Sequence, residues 1–265
     1  MTDLDELENK SIYIIREAYS RYRNMAILWS IGKDSTTLVW LCRKAFFGPP
    51  PFPVVHIDTA RKFKEIYEFR DRYAAEWHLD LVIAQSPRAA ESAPTFCNKL
   101  ECCTELKTNA LRQLIARRKF DALLLAIRRD EHGIRAKERF FSPRDSDFRW
   151  NYLDQPAELW DQFGSTAQED THLRIHPLLD WREIDVWRYV QRERIPVVNL
   201  YFARDGRRYR SIGCEPCCRP VESNAATIDE IVVELRTTRV AERSGRAQDK
   251  EQAFMMQKLR SLGYM

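Results

Sequence analysis

The sequence predicts an α/β fold: a doubly wound parallel sheet with a mostly helical C-terminal extension. Two observations carry this reading. Short apolar runs alternate with amphipathic helical stretches through the first half of the chain, which is the pattern of strands joined by crossover helices. The runs are short and mostly apolar, as in strands covered on both faces.

Residues 4–22 place Ile12, Ile15, Ala18, Tyr19 and Tyr22 at spacings of three and four, the period of an amphipathic helix. A first strand follows at 25–29, then a short loop and a helix at 36–46. The order repeats with a strand at 53–57, a helix at 63–77, a strand at 79–84, a helix at 103–118 and a strand at 121–127. Beyond Arg128 the pattern loosens into an Arg-rich stretch to about Trp150. A strand at 173–178, a helix at 181–192 and a polar, basic loop ending in Cys214 come next, then two helices at 228–239 and 248–262. A tentative division near Pro196 separates a nucleotide-binding domain, 1–195, from a cysteine-containing extension, 196–265, packed on it. In such sheets ligands bind beyond the carboxyl ends of the strands, so the loops after Trp29, Ile57, Ala84 and Ile127 are expected to converge on one site.

Composition narrows the class. With 265 residues, 44% of them hydrophobic, 8 Gly and 12 Pro, the chain is neither collagen-like nor of low complexity nor disordered. At that size roughly three-quarters of the unfolded surface can be buried without disulfides or metals. The formal charge of +4 gives little support for a polyanion partner, so local clustering must carry that argument. No apolar run approaches the ~20 residues that span a bilayer, and the opening MTDLDELENK is acidic where a secretory signal is basic. A cytoplasmic location is the expectation. There, seven cysteines serve as thiols or metal ligands rather than disulfides. Cys42, at helical spacing among Leu38, Leu41 and Ala45, reads as core.

Ser30-Ile31-Gly32-Lys33-Asp34-Ser35-Thr36 follows a strand and opens a helix, where unpaired backbone N–H groups and the helix dipole favour an anion. Gly32 lets the backbone approach a phosphate, Lys33 supplies charge, and Ser30, Ser35 and Thr36 supply hydroxyls. An ordinary capped turn is the bland alternative, and no glycine stands five residues before the lysine as the P-loop pattern requires. The segment resembles the SGGKDS-type loop of the N-type ATP pyrophosphatases, with Ile31 in place of the first glycine, a variant found in the small subunit of ATP sulfurylase. That resemblance implies ATP cleavage between the α- and β-phosphates, with AMP passed to an acceptor.

The similarity to the sulfurylase small subunit and PAPS reductase superfamily runs along nearly the whole chain. It is carried by His56-Ile57-Asp58-Thr59 with Lys62-Phe63, by Arg128-Arg129-Asp130-Glu131 with Arg135-Ala136-Lys137-Glu138-Arg139, by Pro156-Ala157-Glu158-Leu159-Trp160, by the run from Asp180 to Trp187 and by Val221-Glu222-Ser223-Asn224-Ala225. Asp58, at the end of the second strand, is placed to orient the nucleotide or a Mg²⁺, while Arg128, Arg129 and Arg135 neutralise phosphate. The competing possibility is a solvated face shared with Asp130 and Glu131. Between Arg112 and Arg149 eleven basic residues face six acidic ones, an excess that favours anion binding. Catalysis is assigned to Lys33, Asp34, Arg128 and Arg129, and nucleotide binding to Ser30, Gly32, Lys33, Asp34, Ser35, Thr36, Asp58, Arg128, Arg129 and Arg135.

Six cysteines fall in two groups: Cys97, Cys102 and Cys103, and Cys214, Cys217 and Cys218. A C-x-x-C loop with a distant second pair supplies the four ligands wanted by zinc or an iron–sulfur cluster. Cys102-Cys103 with Leu106-Lys107, and Ser211-Ile212-Gly213-Cys214-Glu215-Pro216-Cys217, resemble the two halves of the 4Fe-4S motif of assimilatory adenylylsulfate reductases. The resemblance implies Cys102, Cys103, Cys214 and Cys217 as ligands, with Cys97 or Cys218 as a substitute or as a thiol that carries sulfur. The reductases' catalytic Glu-Cys-Gly-Leu-His tail is absent, since no cysteine follows Cys218. A sulfurylase-like body with reductase-like cysteines resembles the ATP pyrophosphatase component of Ssp-type DNA phosphorothioation systems. That implies ATP, Mg²⁺ and a 4Fe-4S cluster as cofactors, a cysteine desulfurase and DNA as partners, and adenylation of a backbone phosphate. The alternative is the small subunit of sulfate adenylyltransferase, which forms adenylylsulfate with a GTPase large subunit as partner. A homo-oligomer is compatible with either.

Overall fold

The computed structural model describes residues 2–90, 99–155, 157–158 and 172–246. Its central sheet has six strands: β1 Met25–Leu28, β2 Val54–Asp58, β3 Leu81–Gln85, β4 Ala122–Leu124, β5 Phe141–Arg144 and β6 His172–Ile175. They lie in the order β3-β2-β1-β4-β6-β5. All neighbouring pairs are parallel except β5 with β6. The chain runs outward from β1 to β3 and then crosses back to β4. The β1/β4 boundary is therefore the topological switch point, where such sheets open a crevice for ligands. β1, Met-Ala-Ile-Leu, is buried at every position, as a central strand covered on both faces must be.

The helices are α1 Asp3–Arg21, α2 Lys33–Ala45, α3 Lys64–Glu76, α4 Lys99–Cys103, α5 Ala110–Arg118, α6 Glu183–Glu193 and α7 Ile228–Thr237. α1 begins with a capping box: the Thr2 hydroxyl accepts from the Asp5 N–H and the Asp5 carboxylate accepts from the Thr2 N–H, satisfying two otherwise orphaned donors. α1, α2, α6 and α7 pack against one another in series. The helix expected at 103–118 is longer and interrupted, passing from α4 to α5 through a π-helical Thr104–Asn109. One hydrophobic cluster holds Trp29, Leu38 and Trp187 together with Tyr201, Ile231 and Val232. Trp29 stacks on Trp77 with ring centroids 6.2 Å apart and donates its indole N–H to Thr36 Oγ1 at 3.1 Å. The expected helix at 248–262 lies outside the described residues. The preceding stretch contributes α7 and a two-stranded sheet of β7 Arg207–Arg208 with β8 Val221–Glu222.

β5 is the departure from the expected pattern. The Arg-rich stretch that reads as loosened in sequence supplies an antiparallel edge strand, whose Pro143 such a position tolerates. Its buried side chains include Arg144, fully enclosed and bonded to the equally enclosed Glu138 at 2.8 Å. Apolar periodicity cannot reveal a strand that buries an ion pair.

His172, on β6, is buried between the same arginines. Burial, followed by Arg174 and Arg144, pushes its imidazole down to about 2. The folded protein therefore holds it neutral where the unfolded chain, with a histidine near 6.5, takes up a proton. Stability tied to this group is complete above about 6.5 and is lost as pH falls toward 2. Urea unfolding is expected to show a loss of about 1.4 kcal/mol from this source for each pH unit below the unfolded value. His172→Phe should flatten that slope; an unchanged slope would refute the assignment.

Candidate active site

The loop after β1 carries the chemistry. The backbone turns sharply at Ile31, whose φ of 67° is left-handed, a conformation that costs a side-chain-bearing residue about 1–2 kcal/mol. The related loop motif has glycine at this point, and the backbone angle is the reason. Ile31 offsets the strain by burying its side chain in the core, 1% exposed. Gly32 caps α2, and Lys33 is the first residue of the helix. A Cβ on Gly32 would sit 3.4 Å from the Tyr201 hydroxyl and 3.5 Å from Ser30 Oγ. The Lys33 N–H donates to Tyr201 Oη at 2.9 Å, while Ser35 Oγ donates to the Gly32 carbonyl at 3.1 Å and lies 3.0 Å from Ser30 Oγ.

The loop forms one wall of a cavity of about 170 Å³ beyond the carboxyl ends of β1, β2 and β4. Leu28, Val55, Ile57 and Leu125 make it apolar on the sheet side, while Lys33, Lys62, Lys107 and Arg135 bring cations. The loop after Ala84 does not reach it, because β3 is at the sheet edge and Ser86 instead donates to Glu105 at 2.9 Å.

Lys33 is 1% exposed, with Nζ 3.0 Å from Asp34 Oδ2 and bonded to Glu242 Oε1. Burial alone would lower its pKa, but Asp34 and Glu242 outweigh it and hold the ammonium well above its ordinary value. Arg128 is completely enclosed and forks to three carboxylates: NH1 to Asp34, NH2 to Glu242 and Nε to Asp130 at 2.9 Å. Glu242 answers in kind: burial would raise its carboxyl, but Arg128 and Lys33 keep it below the usual range. Arg135 pairs with Glu131, which also takes Arg243 at 3.0 Å.

Ser30, Gly32, Lys33, Asp34, Ser35 and Arg135 thus line one cavity, and Arg128 stands one layer behind. Three other candidate residues point to different tasks. Asp58 accepts from the Ala60 N–H at 2.8 Å and the Tyr67 hydroxyl at 2.9 Å, shaping the turn after β2. Arg129 pairs with Asp180 and covers the Phe140 ring at 5.2 Å. Thr36 is taken by Trp29. Residues not singled out from the sequence also enter: Tyr201 against the loop, and Glu242, Arg243 and Arg246 from the segment after α7. Their sole local signal is a dense run of charge around a glycine.

Cys102, Cys103, Cys214 and Cys217 line a second cavity of about 80 Å³, adjoining the first at Lys107 and Cys214. They share a space without sharing a ligand geometry. Cys214 Sγ is 3.2 Å from Thr59 Oγ1, and Cys217 Sγ accepts from Lys99 at 3.8 Å. Cys218 is engaged by the Gly213 N–H at 3.1 Å and by Arg246 at 3.3 Å. Among the described residues no three Cys, His, Asp or Glu side chains form a group able to hold a metal ion. The expected 4Fe-4S ligation is therefore not supported, and Cys97 lies outside the described residues. Burial would raise the Cys214 thiol, but Lys107, the Thr59 hydroxyl, Lys62 and Arg246 bring it below its usual value. Burial, with Lys107 and Arg246 nearby, pushes Lys62 down to about 8.

Comparison with known proteins shows the family and the fold. The phosphoadenosine phosphosulfate reductase domain matches residues 24–220. Sulfate adenylyltransferase subunit 2 1 of Chromohalobacter salexigens is 41% identical, over 99% of this chain and 97% of that protein. Sulfate adenylyltransferase subunit 2 of Rhizobium meliloti is also 41% identical, over 98% and 92%. Among solved structures, Candida glabrata FMN adenylyltransferase superposes with a TM-score of 0.58 at 16% identity, covering 90% of this chain and 74% of that one. Phosphoadenylyl-sulfate reductase from Candida auris gives 0.55 at 15% identity, covering 83% and 98%. At such identity the two structures speak for the fold alone.

These relatives overturn the expectation of DNA phosphorothioation, with its cysteine desulfurase and DNA partners. That expectation came from adding reductase-like cysteines to a sulfurylase-like body. The body matches subunit 2 proteins from end to end, and the cysteines that tipped the balance do not assemble a ligand set. The chain belongs to the phosphoadenosine phosphosulfate reductase domain family, in the branch of proteins named sulfate adenylyltransferase subunit 2.

Proposed function

We propose that this chain is the adenylyl-transferring subunit of a sulfate adenylyltransferase, working with a GTPase large subunit in the cytoplasm. The observation that carries the reading is the buried Lys33 at the start of α2, on a loop that opens into a cavity at the switch point of the sheet, in a chain 41% identical to subunit 2 proteins along nearly its whole length. The apolar sheet-side wall suits a purine ring, and the loop N–H groups with Lys33 suit the phosphates. A sulfate oxygen attacks the α-phosphorus, the α–β anhydride breaks, and pyrophosphate leaves with the electron pair. Cations fixed before the reaction stabilise the charge that builds on the leaving group. Lys33 and Arg135 are positioned for this, with Arg128 orienting Asp34 from behind. Mg²⁺ arrives with the triphosphate.

Sulfate-dependent ATP–pyrophosphate exchange, measured on the chain reconstituted with a GTPase large subunit, is the test. Exchange that requires both sulfate and the partner is the expected result. Exchange indifferent to sulfate would refute the acceptor.

A further inference from the structure

We propose that the segment 241–246 is an autoinhibitory strap: its Glu242 carboxylate occupies a phosphate position and is displaced when triphosphate or pyrophosphate binds. The inference rests on the nucleotide reading above and concerns the regulation of that same site.

The two oxygens of Glu242 are divided between two cations, Oε1 on Lys33 Nζ and Oε2 on Arg128 NH2. Lys33 and Glu242 line the cavity while Arg128 stands behind it, so the oxygen on Lys33 takes the place of a phosphate oxygen and the other anchors the carboxylate from behind. Arg128 offers a planar fork that fits carboxylate and phosphate alike. With Glu242 in place, the two cations face three carboxylates, those of Asp34, Asp130 and Glu242. An arriving phosphate would share Lys33 with a carboxylate in a poorly screened interior, where like charges repel strongly. Glu183, only a shell away, already shows the strain: burial and then Glu242 raise its carboxyl.

The strap is built to leave. Downstream of Thr237 no described residue joins the main hydrophobic cluster, and Val240 is 52% exposed. What holds the segment is polar. The Val240 carbonyl accepts from Arg210, Arg243 pairs with Glu131, and Arg246 reaches Cys218 while its guanidinium lies over Gly213. A segment without apolar anchors belongs to the low-stability end of a fold, and a polyanion competes for its cationic contacts. Glu242 therefore reduces apparent affinity by the fraction of molecules whose site is closed.

The experiment uses the full chain and two probes, inorganic pyrophosphate and Mg²⁺ with α,β-methylene ATP, titrated calorimetrically into wild type and Glu242→Gln. The variant is expected to bind pyrophosphate about tenfold more tightly, because the competing charge is gone. In wild type, hydrogen exchange across residues 238–246 is expected to speed up when pyrophosphate saturates the site. This second readout does not depend on how the variant folds. Equal or weaker binding by Glu242→Gln, or slower exchange in the strap on ligation, would overturn the proposal and make Glu242 a positioning group that stays with the bound nucleotide. If neither protein binds either probe, the nucleotide reading itself falls, and the strap proposal with it.

Discussion

Lys33→Ala is expected to reduce sulfate-dependent ATP–pyrophosphate exchange by about 10²- to 10³-fold, the loss seen when one preorganised charge-stabilising donor is removed from an active site. The ammonium is fully enclosed and lies between Asp34 and Glu242, so its position is set before any ligand arrives. Its removal strips charge from the loop and leaves two carboxylates facing the place where phosphate must bind. Both kcat and nucleotide affinity should fall. A thermal melt of the same variant separates this from unfolding, because Arg128 still pairs with both carboxylates. Exchange within tenfold of wild type in a folded Lys33→Ala protein would remove the loop from the mechanism.

Glu138→Ala should produce the largest loss of stability, far from the chemistry. Glu138 and Arg144 are both completely enclosed, bonded at 2.8 Å, and Ser142 donates to the same carboxylate at 2.7 Å. Removing one member of a buried pair leaves an uncompensated charge and costs about 3–5 kcal/mol. For a chain of this size that corresponds to a fall in Tm of roughly 10 °C. The double variant Glu138→Ala with Arg144→Met should regain much of it, because a buried pair replaced by apolar groups is often close to neutral. A single variant as stable as wild type, or a double variant worse than the single, would show that the pair is not what holds β5 to β6.

Much of the fold was legible because it rests on local rules. The mostly apolar runs at 25–29, 53–57, 79–84 and 121–127 each overlap a strand of the parallel sheet. The loop at 30–36 stands out in the sequence by its residue types between a strand and a helix, and the structure adds the left-handed Ile31 that explains its shape. β5 escaped notice because it buries Arg144 rather than apolar side chains. Arg129 and Arg128 are adjacent in sequence, yet one pairs with Asp180 at the surface and the other is enclosed behind the loop. Adjacent residues at a strand end point in opposite directions, and nothing in their chemistry says which way. The cysteines, read from spacing and resemblance, do come from two distant segments to line one cavity, while among the described residues no group able to hold a metal ion is found.

The sequence by itself determined the class of fold, the strand that leads into the loop at 30–36 and the position of that loop at the start of a helix. Hydrophobic periodicity and turn chemistry act over a few residues and leave their mark there. Only the tertiary structure decided which arginines face the cavity, that Tyr201 caps the loop, and that Glu242 reaches back across more than two hundred residues to hold Lys33. Those choices depend on where distant segments meet once the core has closed, and a charge leaves no local trace of the partner it will find.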